Sequence, residues 1–108
     1  MLTYLNYFNF NREVILNKKK VVILFGAPWC MSCQELLPLY EKWSEEYKDD
    51  YDFKLVDMSK SKYLVKQFRV TTTVTFIVVS GWKEINRFGG IQTAETFKYY
   101  LSKEKALR

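Results

Sequence analysis

The sequence predicts an α/β fold, and three observations carry that reading. Apolar runs suited to strands alternate with segments of helical periodicity. Both cysteines lie two residues apart, directly after the most apolar run. Two adjacent β-type runs and a helix then close the chain. At 108 residues, with 48% hydrophobic and 18% aromatic content, the chain can form one domain with a real core and is too short for two. Residues 1–108 are therefore expected to be a single domain.

Each element follows from its own pattern. Leu2 to Leu5 suits a short strand, and Asn9 to Asn17 a short helix carrying Phe10, Val14 and Leu16 inward. Lys18-Lys19-Lys20 marks a turn before the buried strand Val21 to Phe25. Beyond the cysteines, Leu36, Tyr40, Trp43 and Tyr47 recur at helical spacing, with Glu41, Lys42, Glu45 and Glu46 largely on the opposite face. Pro38 inside this helix predicts a kink. Asp52 to Met58 alternates Phe53, Leu55 and Asp57 against Lys54, Val56 and Met58, and Lys60 to Phe68 reads as a short helix. Thr73 to Val79 is rich in β-branched residues. Ser80-Gly81-Trp82 turns it, Lys83 to Phe88 returns antiparallel, and Gly89-Gly90 breaks the strand. Thr93 to Lys103 closes as a helix with Ala94, Phe97 and Leu101 on one face. The order is β-α-β-α-β-α-β-β-α, without repeats or a long linker.

Composition narrows the function classes. The longest uncharged apolar run, Val21 to Met31, is about half the ~20 residues of a membrane span, so no membrane association is expected. The basic cluster before it comes too late for a signal peptide, with Glu13 upstream and Pro28-Trp29 a poor cleavage site, so a cytoplasmic location is expected. The formal charge of +5 comes from 17 basic and 12 acidic residues, and the basic groups at 18–20, 60–66 and 103–108 are interleaved with acids. They read as solvated faces, not a nucleic-acid stripe. Trp43 and Trp82 read as packing residues.

The chemistry sits in Ala27-Pro28-Trp29-Cys30-Met31-Ser32-Cys33. Residues i and i+3 on a first helical turn share a face, which brings two sulfurs within disulfide range. Cys30 at the helix start would have its thiolate favoured by unpaired N–H groups and the macrodipole, making it the attacking nucleophile; Cys33, one turn deeper, would resolve the mixed disulfide. Intramolecular zinc would require carboxylates, because the chain has no further cysteine and no histidine. A structural disulfide closing so small a loop would constrain the unfolded chain little.

The order of elements, the run Val22 to Cys33 with its Trp-Cys-x-x-Cys core, Pro38 five residues beyond Cys33, and Phe88-Gly89-Gly90 together resemble thioredoxin over nearly the whole chain. The resemblance implies a three-layer α/β/α sandwich with a mixed five-stranded sheet and a short N-terminal region. It implies a monomeric protein-disulfide reductase that needs no cofactor beyond the reversible Cys30–Cys33 disulfide and is recharged by a thioredoxin reductase or similar donor. Its substrates would be disulfide-containing proteins, bound along Trp29, Met31, Ser32, Thr73, Val74, Gly89 and Gly90.

Three departures from the family pattern bear on the chemistry. Met31-Ser32 replaces the usual Gly-Pro between the cysteines, which predicts a couple less reducing than thioredoxin's ~−270 mV and nearer the ~−200 to −230 mV of glutaredoxins. Val74 stands where the family has a cis-proline. A non-proline cis bond costs roughly 2.5 to 4 kcal/mol, so the Thr73–Val74 bond is expected to be trans. The loss of that proline also leaves a metal or iron–sulfur cluster shared between two chains conceivable. Leu24, six residues before Cys30, replaces the family's buried acid, leaving Cys33 to lose its proton to water, to the departing thiolate or to Lys54. Lys54 itself is expected to face solvent. A second function class remains: a thioredoxin-fold binding module or complex subunit whose role does not require the thiols. Glutaredoxin-like activity lacks its Cys-Pro-Tyr-Cys pattern here.

Overall fold

The computed structural model describes residues 2–103. The basic segment 104–108 lies outside the described residues.

The central strand is β2, Lys20–Gly26. Val21 to Phe25 are each almost wholly buried, because this strand is covered on both faces, which is why its sequence is continuously apolar instead of alternating. It runs parallel to β3, Tyr51–Asp57, from Lys20 opposite Tyr51 to Gly26 opposite Asp57. On its other side it is antiparallel to β4, Thr75–Ser80. The short β1, Thr3–Tyr4, adds parallel to β3, and β5, Lys83–Gly89, adds antiparallel to β4. The sheet is mixed and five-stranded, in the order β1-β3-β2-β4-β5.

Helices flank both faces. On one, α1 (Met31–Glu46) and α3 (Ala94–Ser102) bury Leu36, Tyr40, Trp43 and Phe97 against Leu24, Phe53, Leu55, Phe76 and Phe88. On the other, α2 (Lys62–Phe68) and a five-residue π-helical turn, Asn11–Ile15, set Leu64 and Val14 against Ile23, Phe25, Val56 and Ile77. The two cores share β2, whose odd and even residues enter different ones. Trp43 stacks on Phe97 at 4.2 Å between ring centroids. The Tyr40 hydroxyl lies 2.9 Å from the Val22 carbonyl and 2.8 Å from that of Lys54, tying α1 to both central strands. Burial pushes this phenol well above its ordinary range. α1 continues through Pro38 to Glu46, so the proline does not end it. Thr93 and Thr96 close a reciprocal cap at the start of α3.

Several boundaries differ from the sequence reading. The first helical segment shrinks to Asn11–Ile15 because Asn6 and Asn9 satisfy local backbone donors: Asn6 Oδ1 accepts from the N–H groups of Phe8 and Asn9, and Asn9 Oδ1 from that of Asn6. Within that segment Val14 is buried, but Leu16 is 69% exposed just past the turn's end. Ala94 is also exposed, while Phe97 and Leu101 point inward. α2 starts at Lys62, because the chain first turns back on Asp57, whose carbonyl accepts the N–H groups of Lys60 and Ser61. Trp82 is 78% exposed in the β4–β5 turn and is not a core packing residue.

Candidate active site

β2 ends at Gly26, and Ala27 to Trp29 turn the chain into α1, with Cys30 as its N-cap in extended conformation. The Cys33 N–H donates to Cys30 Sγ at 3.2 Å, so the sulfur occupies the place an N-cap oxygen usually takes. No acidic side chain lies in the first turn of α1, so nothing there offsets the positive end of the helix. Cys30 and Cys33 are paired as a disulfide with a Cα–Cα distance of 5.2 Å. Cys30 is half-buried, whereas Cys33 is 4% exposed and packs in the core. One sulfur can meet another molecule and the other faces inward. Gly26 makes this possible, since a Cβ there would lie 3.1 Å from Cys33 Sγ.

Trp29 and Met31 stand exposed on either side of Cys30, and Ser32 is half-buried. Val74 belongs to the same packed cluster as Cys33, with Cys30 against it. The Thr73–Val74 peptide bond is cis, not the expected trans. The bond departs from what residue type alone favours at a point where the chain is packed into the core. The Val74 side chain is buried, and its carbonyl accepts the Gly90 N–H at 3.0 Å. A Cβ on Gly89 would lie 3.0 Å from that same oxygen, so glycine is needed for the approach, and Gly90 has φ +89. The fold thus brings Thr73, Val74, Gly89 and Gly90 into one unit. Gln92, which the sequence reading missed, holds it: the buried amide donates through Nε2 to the carbonyls of Gly89 and Gly90. A glutamine two residues past a glycine pair was the available signal. Exposed Ile91 extends the same rim.

Lys54 is buried, contrary to the expectation of a solvent-facing lysine. Its Nζ lies 2.7 Å from Glu13 Oε1 and 3.3 Å from Asp52 Oδ2. It stands opposite Ile23, on the face of the sheet away from Cys33, and so is not placed to take that thiol's proton. Hydrogen bonds from Lys54 and then Arg12 hold the Glu13 carboxyl below its usual range. On the dithiol face, Leu24 is buried in the apolar core. Beside it a cavity of about 100 Å³ is lined by Leu24, Gly26, Cys33, Gln34, Leu55 and Asp57, among others. In the sequence Asp57 shows only as part of a strand pattern. Among the described residues no cluster of three or more His, Cys, Asp or Glu could hold a metal ion, and no helix is long and apolar enough to cross a membrane.

The thioredoxin family model matches residues 2–103. Thioredoxin H5 of Oryza sativa subsp. japonica is 36% identical over 79% of this chain and 62% of its own length. Thioredoxin-2 of Saccharomyces cerevisiae is 34% identical over 70% of this chain and 72% of its own. A protein disulfide-isomerase of Oryctolagus cuniculus is 30% identical over 86% of this chain, which spans 19% of that protein's length. These relatives and the Cys30–Cys33 pair support thiol–disulfide oxidoreductase activity.

Proposed function

The chain belongs to the thioredoxin family, and on that premise we propose that it reduces protein disulfides by dithiol exchange. The Cys30 thiolate attacks one sulfur of the substrate disulfide and expels the other as a thiolate. Cys33 then loses its proton and attacks Cys30, forming the Cys30–Cys33 disulfide and releasing the second substrate thiolate. Two electrons pass to the substrate, and a thioredoxin reductase or similar donor returns them. The observation that carries this reading is the Cys33 N–H aimed at Cys30 Sγ at a helix start bearing no first-turn acid, an arrangement that favours negative charge on the half-buried outer sulfur.

The substrate's extended backbone lies along Trp29, Met31, Ser32, Thr73, Val74, Gly89 and Gly90. Glycines at 89 and 90 and the exposed rings and thioether around Cys30 support that path. With Met31-Ser32 between the cysteines, the couple is less reducing than thioredoxin's ~−270 mV. The domain, residues 1–108, works as a cytoplasmic monomer. The test is reduction of insulin disulfides with thioredoxin reductase as electron source, run beside glutathione as donor. Turnover with the flavoenzyme is the expected result, and no turnover with either donor overturns the reading. A potential at or below −270 mV, measured against a glutathione or dithiothreitol series, refutes the weaker reducing power.

A further inference from the structure

The second chemical step needs a group to take the Cys33 proton, and neither Leu24 nor Lys54 is placed to do so. The parallel register sets Gly26 beside Asp57, and in-register residues of neighbouring parallel strands project to the same face. Gly26 faces Cys33 closely enough that a Cβ would lie 3.1 Å from its sulfur. Asp57, next along the sheet, therefore projects to the same face, two residues beyond Leu55 of the dithiol-face core. Both Cys33 and Asp57 line the cavity of about 100 Å³, a space large enough for more than one water. Asp57 Oδ1 accepts from the N–H and Oγ of Ser59, at 2.9 and 2.6 Å, which fixes the carboxyl at the end of β3. Among the described residues no hydrogen bond engages its other oxygen.

We propose that Asp57 is the proton acceptor for Cys33, acting through water in the cavity beneath the dithiol. The inference rests on the disulfide-exchange reading above. The Cys33 thiol gives its proton to a cavity water as that water gives one to the Asp57 carboxylate. The resulting Cys33 thiolate attacks Cys30 Sγ, the mixed-disulfide bond breaks, and the substrate sulfur leaves with the bonding pair. Asp57 then returns the proton to solvent or to the departing thiolate, so its own charge is restored each cycle. The titratable and charged groups facing Asp57 are Cys33 of α1, Tyr4 of β1 and Lys60 of the following loop.

The test is stopped-flow reaction of the reduced full chain with 5,5′-dithiobis(2-nitrobenzoate), which releases one coloured thiolate on attack by Cys30 and a second on resolution by Cys33. In the unsubstituted protein the second phase should be nearly independent of pH from about 6 to 8, because the proton passes to Asp57 rather than to hydroxide. In Asp57→Asn it should slow about a hundredfold at pH 7 and climb about tenfold per pH unit with the thiolate fraction. Asp57→Glu should restore the plateau. A tenfold climb per unit in the unsubstituted protein overturns the proposal without any variant, as does an Asp57→Asn profile that matches the unsubstituted one. Absence of the first release in the unsubstituted protein instead overturns disulfide exchange itself.

Discussion

Consecutive residues of β3 send their side chains into two chemically different faces of one sheet. Lys54 enters the face of α2 and the π-helical turn, where the buried ammonium meets Glu13 at 2.7 Å and Asp52 at 3.3 Å. Leu55 enters the face of α1, where it shares the core with Leu24 and Cys33 and lines a cavity with Asp57, at the strand's end. One face neutralises its charge by close pairing, which serves stability. The other keeps its interior apolar and leaves an acid at the rim of a cavity, where water can carry a proton. Residues adjacent in sequence therefore do separate jobs, and substitutions on the two faces should separate stability from chemistry.

The largest expected effect lies on the dithiol face. Cys30→Ser should abolish thiolate release from a chromogenic disulfide, while Cys33→Ser should hold a covalent substrate adduct visible by mass spectrometry; release persisting in Cys30→Ser would erase the distinction between the two sulfurs. On the opposite face, Glu13→Ala leaves Lys54 short of its closest partner and should cost about 3 kcal/mol in urea unfolding, with the exchange rate within about twofold of the original. A matching loss of exchange rate would show that the faces are coupled. Gly26→Ala tests the boundary between the two strands, since its new Cβ would meet Cys33 Sγ at 3.1 Å and Cβ at 3.3 Å. It should cost about 1 to 2 kcal/mol in urea unfolding and slow resolution by Cys33.

The smallest effect is acid sensitivity. Because Glu13 titrates below its usual 4.5 when folded, its contribution is fully present above that value and is lost as pH falls through the lower folded one. Glu13→Gln should flatten that part of the stability curve, followed by urea midpoints between pH 3 and 6. An unchanged slope would assign the acid sensitivity to other carboxylates.

Local pattern made most of the framework legible. A short uninterrupted apolar run rich in β-branched residues suits a strand covered on both sides, and β2 is one. Helical spacing placed Leu36, Tyr40 and Trp43 on the buried stripe of α1, and two cysteines at i and i+3 after a strand put the dithiol at a helix start. Less legible was everything that depends on which groups the fold brings together. Lys54 reads as a surface lysine until the segment of Glu13, 41 residues away, folds over it. The Thr73–Val74 bond reads as trans because residue type alone favours trans, yet it is cis where the fold buries Val74 and sets its carbonyl against Gly89 and Gly90. Asp57 looked like one more residue of an alternating strand, and became a candidate only when the register set it beside Gly26 and against the Cys33 cavity.

By itself the sequence determined the alternation of strands and helices, the buried central strand and the dithiol at its end, because periodicity, capping and cysteine spacing act over a few residues. Tertiary structure alone decided which carboxylate neutralises Lys54, which one lines the cavity beside Cys33, and how the segment at Val74 crosses the site. Those outcomes depend on contacts between distant segments, and strand register and layer packing create them only once the chain has folded.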